Sequence, residues 1–494
     1  WRSRFAGDGR STGHRGASTI PTKVRNMLRA VRPAAARGLA TQASAAEPLW
    51  MPFTPNAWFN EQRSKGTART VVRGEGMHYY DKDGRAILDC SAGLWCSAAG
   101  ISPRPVIEAV KKQLDEMVYA PSFMMCHEPA EKWAEALVAE GNLEATGHTK
   151  AFFTMCGSTS VDTALKMALA YHRSRGEGSR TIFIGREKAY HGTNISGASV
   201  GGIGGNRAQF TSALIPTVDH LKSTLNIKEQ AFTVGEPEEG ADLADELLDL
   251  IALHGPANIA AVIMEPVAGS AGVFVPPKGY LKRLRQICDD HGILLILDEV
   301  ITAFGRLGTP FAMDYFGISA DIVTTAKGLT SAVVPAGAVI AQQHVYDAIV
   351  GGAAPETIEL FHGYTYSCHP VAAAAGIATL EHYHEAGLYE NAAAMVPVLE
   401  DALHSNFDAS NPYVVDVRNI GLMGAIQLRT PPGMGPGKFG HAVMNHLWFE
   451  EDVYVRFTGD TLAFSPAFIV QKEQIYAMME AVKRGVDAVG PRFF

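Results

Sequence analysis

The stretch ILLILDEVITAFGR, Ile293–Arg306, decides how this chain is read. Apolar residues from Ile293 to Leu297 run without alternation into two adjacent carboxylates, Asp298 and Glu299. A short apolar run lacking a period of two predicts a strand covered on both faces, as in the interior of a parallel sheet. Ligands of open α/β sheets collect at the carboxyl ends of strands, so a carboxylate there predicts a site.

Working outward, the neighbouring segments repeat the same unit. Upstream, YLKRLRQICDDHG is an amphipathic helix closed by Gly292. Downstream, ADIVTTAKGL predicts a strand at Ile322–Thr324. KAFFTMCGS is an apolar run ending at Gly157, after which Val161, Ala164, Leu165, Ala168 and Leu169 fall at helical spacing. TIFIGREKAYHG and IAAVIMEPVAG are further strand-then-loop units. Strands alternating with helices predict right-handed βαβ units and a largely parallel sheet between about 150 and 340. MHYYDKDGRAILDC predicts a hairpin turning at Asp83-Gly84. VVDVRNIGLMGAIQL, DVYVRF and TLAFSPAF predict a smaller α+β domain. The expected organisation is a leader at 1–46, part of the small domain at 47–97, a large domain at 98–374, and the rest of the small domain at 375–494.

Composition narrows the class. At 494 residues the chain is long enough for a large core, and 47% apolar with 19% charged residues describes a globular protein. No apolar run approaches the roughly 18 residues of a spanning helix, so no membrane segment is expected. Six scattered cysteines form no CxxC pair, which speaks against a disulfide framework or structural zinc and fits a reducing compartment. Residues 1–46 hold nine Lys/Arg against one acid, a net of +8, while the whole chain carries −8 and the remainder therefore −16. An acidic body without a basic stripe gives no footprint for nucleic acid. The leader, rich in Arg, Ser and Ala, has the composition of a mitochondrial transit peptide, with Val24, Met27, Leu28 and Val31 on one helical face.

The chemistry starts from Lys327 in TTAKGL. An ammonium near a buried strand end is costly unless it is paired or chemically used. Lysines form Schiff bases with carbonyls, that of pyridoxal phosphate among them, and such a ring needs an anion opposite its nitrogen. Asp298 would supply it. CGSTS at a helix start offers free N–H groups and the positive end of a dipole to a phosphate. Thr159 with Asp162 matches a capping box, so plain capping is the alternative there. Tyr190 and His191, in KAYHG, follow another strand end, where an aromatic ring could stack on a cofactor or simply pack in the core.

Together GSTSVDTALK, YHG, EPVAGSAGV, LLILDEVITAFGR, TTAKGL and HGYTYSCHP, in this order, resemble the class III, or omega-amino-acid, aminotransferases of the fold-type-I pyridoxal-phosphate enzymes. The segments LWMPFTPN, SAGLWC and VYVRFTGDTLAFSP look like the omega-amino acid (β-alanine): pyruvate enzymes of that family. The resemblance implies transamination of an omega-amino acid or amine with pyruvate, in ping-pong half-reactions through pyridoxal 5'-phosphate. By the same resemblance Lys327 is the Schiff-base lysine and proton shuttle, Asp298 the partner of the ring nitrogen, and Val300 the side chain packed under the ring. Tyr190 stacks on the other face with His191 beside it, Gly157 and Ser158 hold the phosphate, and Glu265 braces the pocket. Thr365 reaches the phosphate of a neighbouring subunit, which implies a homodimer or a dimer of dimers. Trp95 and Arg456 face the substrate, Arg456 holding its carboxylate; from position alone, Arg456 could instead pair with Asp452 or Asp460. Glu299 is expected to be structural.

The chain departs from the family pattern where Met155-Cys156-Gly157-Ser158-Thr159 replaces Asn-Ser-Gly-Ser/Ala-Glu, and where Ser331-Ala332 follow the lysine turn in place of a frequent glycine. The first change is expected to alter the phosphate cup or the network behind Tyr190. Two other readings stand beside the leading one: a class III enzyme for 4-aminobutyrate or an alanine–glyoxylate pair, and a non-catalytic relative that keeps the fold.

Overall fold

The computed structural model describes residues 48–494, so the expected leader lies outside the described residues. Packing groups the chain up to Ala68 apart from Arg69–Phe494. In the first group a helix, Asn56–Ser64, is preceded by a loop that the Asn56 side chain closes, accepting from Met51 N at 2.8 Å and donating to Met51 O at 2.9 Å.

The second group is organised by a seven-stranded sheet. Its strands are β1 (His148–Thr154), β2 (Ile182–Arg186), β3 (Val218–Leu221), β4 (Ile259–Met264), β5 (Leu294–Asp298), β6 (Ile322–Ala326) and β7 (Gly337–Gln342). They lie in the order β1-β7-β6-β5-β4-β2-β3; β7 runs antiparallel to both its neighbours and every other pairing is parallel. Three helices matter for the site: α1 (Gly157–Ser174), α2 (Tyr280–His291) and α3 (Pro370–Glu385).

The unalternating apolar run is explained by what covers it. Leu294 and Ile296 pack in one core with Val161, Ala164, Leu165 and Ala168 of α1. Ile293, Leu295 and Leu297 pack in another with Leu281, Leu284 and Ile287 of α2. Successive strand residues point to opposite faces, so a sheet with helices on both sides needs apolar residues at every position.

The smaller sheets join distant parts of the sequence. His78–Asp81 and Ala86–Asp89 form the expected hairpin, and Val453–Tyr454 adds to it in parallel, pairing Val453 with Leu88. The hairpin turn differs in length from a tight two-residue one. Asp81 N donates to Arg85 O at 3.2 Å, so three residues make the turn, and Gly84 takes the left-handed position (φ 81°) that this loop requires. Val414–Ile420, Met423–Leu428, Thr461–Phe464 and Arg456–Thr458 form an antiparallel sheet. The boundary expected after residue 374 falls inside α3, a continuous helix that buries Val371, Ala375 and Leu380.

Candidate active site

Five strand ends converge on one cavity of about 310 Å³. Its wall takes Tyr190 from beyond β2, Glu265 after β4, Asp298 from β5, Lys327 after β6, and Gly157 with Ser158 where β1 passes into α1. That is the carboxyl edge of the sheet, where the helix N-termini and the irregular loops leave polar groups free to meet a ligand.

Asp298 is buried, and both of its oxygens are engaged. Oδ2 accepts from His191 Nδ1 at 2.7 Å, and Oδ1 accepts from Thr324 Oγ1 at 3.1 Å and Val300 N at 3.2 Å. His191 is therefore more than a neighbour of Tyr190. Its ring is buried on the cavity wall with Nε2 unpartnered among the described residues.

Glu299, one residue on, takes no part in the cavity wall. It accepts from Ala312 N (2.7 Å), Met313 N (2.9 Å) and Thr302 Oγ1 (3.0 Å), so it caps the short helix Ala312–Phe316. Burial pushes its carboxyl up to about 7, against the pull of those donors. The adjacent carboxylates that open the sequence question thus serve different ends, one the cavity and one a helix.

Lys327 opens a 3₁₀ turn, Lys327–Thr330, with φ of 50°. Its ammonium makes no hydrogen bond or ion pair among the described residues. Burial lowers its pKa to about 8, helped by the Arg456 guanidinium and opposed by Cys96, Asp298 and Glu265. Glu265 is buried too, and its Oε1 accepts from Tyr190 N at 2.8 Å, fixing the loop that carries the aromatic ring. Burial raises Glu265 to about 7, with His191 opposing.

The start of α1 is cut to fit. A Cβ at Gly157 would lie 3.0 Å from Val300 Cγ1, so glycine lets the helix end approach that side chain without displacing it. The observed capping box joins Cys156 and Thr159, one turn earlier than the Thr159–Asp162 pair expected. Thr159 Oγ1 accepts from Met155 N (3.1 Å) and Cys156 N (3.0 Å), so the threonine that stands in place of the pattern's glutamate caps the helix start. Asp162 instead accepts from the Asn194 side chain. These bonds leave the Gly157 and Ser158 amides at the positive end of the dipole, ahead of Ser160 N, which makes the first intrahelical bond to Cys156 O.

Three expected residues do not line the cavity. Trp95 is 2% exposed, packed in the core with its indole N–H unpartnered, and Cys96 faces the cavity in its place. The reversal follows from the backbone, because Ala92, Gly93 and Trp95 all have positive φ and turn the loop on itself. Thr365 is exposed, its carbonyl accepting from Tyr119 Oη at 2.9 Å. Arg456 is half-buried and not part of the cavity lining, yet near enough for its charge to act on both Lys327 and Tyr190. It pairs with neither aspartate weighed for it. Asp452 pairs with Arg85 Nε at 3.2 Å, and Asp460 accepts from Gly440 N (3.0 Å) and Thr430 Oγ1 (2.9 Å).

Thr324 and Cys96 are contributors that sequence reasoning missed, while Met155 and Cys156, marked as departures from the family pattern, do line the cavity. For Thr324 a signal existed, since a Thr-Thr pair inside an otherwise apolar strand asks for a polar partner.

A family model described as aminotransferase class-III matches residues 59–486. The chain is 49% identical to an omega-aminotransferase of Caulobacter vibrioides, covering 90% of this chain and 99% of that protein. It is 45% identical to a beta-alanine–pyruvate aminotransferase of Pseudomonas aeruginosa, over 89% and 95% of the two chains. The omega transaminase of Pseudomonas jessenii, solved in complex with PMP, superposes with a TM-score of 0.83 at 32% identity, covering 90% of this chain and 97% of that one.

Proposed function

The chain belongs to the class-III aminotransferases, and from that membership we propose that it moves the amino group of an omega-amino acid such as β-alanine, or of an amine, to pyruvate. It is an aminotransferase, and pyridoxal 5'-phosphate is its cofactor. The residues present fit that group, because the cavity offers an unpaired lysine, a buried carboxylate and an unpartnered imidazole nitrogen beside a helix N-terminus. When bound, the group supplies a carbonyl that condenses with amines and a ring that takes up the electrons released when the substrate Cα–H bond breaks.

The chain's own residues then divide the work. Gly157 and Ser158 would bind the phosphate through their amides. Asp298 would hold a proton on the ring nitrogen, with His191 and Thr324 keeping its two oxygens in place. Val300 and Tyr190 would flank the ring, and Glu265 would keep Tyr190 in position. Lys327 Nζ would hold the resting enzyme's cofactor and take the proton from the amine-bearing carbon. Its pKa of about 8 suits that work, since a base is most effective near the working pH.

The observation that carries the substrate reading is Arg456. Its guanidinium has no carboxylate partner among the described residues, yet it stands close to Lys327 and Tyr190. Pyruvate and β-alanine both bring a carboxylate, whose two oxygens match the guanidinium fork. Arg456→Ala is expected to weaken both acids by about 1.5–3 kcal/mol, the scale of a hydrogen bond to a charged group. A simple arylalkylamine donor should be spared in its own half-reaction. Single-turnover rates with each donor check this, and equal losses for acid and amine would make Arg456 structural.

The same reading includes a homodimer at least, with Thr365 reaching the partner subunit's phosphate. Thr365 is exposed and outside its own chain's cavity, in a patch where Tyr119, Phe123, Met124, Phe361 and Tyr366 are also exposed. Large exposed apolar side chains gathered near one another favour an interaction surface there. Sedimentation of the active enzyme should give twice the chain mass or more, and a monomer with full activity would contradict the assignment.

A further inference from the structure

The turn that carries Lys327 is strained and must be held. Lys327, Ser331 and Ala332 have φ of 50°, 46° and 61°, all left-handed and none of them glycine. For side chains with a Cβ that conformation is unfavourable, because the Cβ crowds the following carbonyl oxygen. Such strain persists only where the surroundings over-determine it. Two tethers leave the turn for other parts of the fold. Tyr383, fully buried on α3, donates from its hydroxyl to Gly328 O at 2.6 Å. Ser331 Oγ accepts from Ala99 N at 2.9 Å. A third bond, Thr330 Oγ1 to Val334 O at 2.6 Å, closes the turn on itself.

We infer that Tyr383 is a positioning residue for Lys327: its hydroxyl clamps the carbonyl of the next residue and so holds the turn that presents the lysine amine to the cavity. The inference rests on the reading of Lys327 as the working amine. Tyr383 is well placed for the task. Its ring packs against Tyr389 at 5.4 Å and Phe468 at 6.0 Å, so the ring is fixed independently of the hydroxyl. Burial raises the phenol's pKa, which keeps the hydroxyl a donor at every working pH. A Cβ at Gly328 would meet the Phe304 side chain at 3.3 Å and the Tyr383 hydroxyl at 3.6 Å. The carbonyl is held by the hydroxyl while the α-carbon is packed against Phe304.

Tyr383→Phe keeps the ring and removes the clamp. Its expected effect is a kcat roughly tenfold lower, the loss of about one such hydrogen bond in the transition state, with the KM for the donor little changed. The second readout uses the cofactor-free protein. Lys327 is labelled with an amine-reactive anhydride across a pH series, and its peptide is quantified by mass spectrometry. In the parent chain the labelling midpoint should lie at about 8, and in Tyr383→Phe it should move up as water reaches a loosened amine. Tyr389→Phe is the control. It removes a bond of 3.1 Å to Glu140 one ring further out, and should lower thermal stability without moving either readout.

An unchanged midpoint and kcat in Tyr383→Phe would overturn the inference, as would equal shifts in both tyrosine variants. Should Tyr383→Phe not fold, Ser331→Ala breaks the other tether of the same turn, and an unchanged midpoint there would overturn it equally. Labelling reports only on where the amine sits, so it separates failure of the clamp from failure of Lys327 as the working amine, which activity of Lys327→Ala decides.

Discussion

Lys327→Ala is expected to fold and yet to have no measurable transamination. The substitution removes the amine that holds the cofactor in the resting enzyme and the base that takes the substrate proton, and nothing else on the cavity wall replaces both. Loss of a positioned base alone costs on the order of 10²–10⁴ in rate. The fold should survive because the wild-type ammonium forms no ion pair that would be broken. Removing it also relieves the cost of a buried charge, which is what lowers its pKa to about 8. Alanine must still adopt the left-handed φ of 50°, a strain the lysine already bears. Steady-state assay with β-alanine and pyruvate, beside a thermal melt, checks both halves. Substantial residual turnover in a folded variant would sink the assignment.

Asp298→Asn should also leave the fold largely intact and cripple turnover. Asparagine keeps an oxygen for Thr324 Oγ1 and Val300 N, so two of the three bonds to this side chain survive. What it loses is the charge. A neutral amide cannot hold a ring nitrogen protonated, and its NH₂ would face His191 Nδ1 where the carboxylate now accepts at 2.7 Å. The expected fall in kcat is on the order of 10²–10³, the scale on which loss of one preorganised electrostatic group is felt. A turnover number close to wild type would mean that another carboxylate serves the ring, and Glu265, on the same cavity wall, would be the next to test.

The sequence by itself determined the doubly covered sheet, because a strand buried on both faces must be apolar at every position and Ile293–Leu297 has no alternative use. It determined equally that Asp298, Lys327 and the helix start at Gly157 lie at strand ends, since each closes or follows a local apolar run. These are properties of short windows, and periodicity reports on short windows. Which partner each side chain takes is not such a property. His191 reaches Asp298 across 107 residues of sequence, and Tyr383 reaches Gly328 across 55. Glu299 turns away to cap a helix, Asp460 is used by Gly440 and Thr430 and so leaves Arg456 unpaired, and Cys96 faces the cavity where Trp95 was expected. Neighbouring residues such as Asp298 and Glu299 were told apart only by what the folded chain brought within about 3 Å of them, the range over which a hydrogen bond acts.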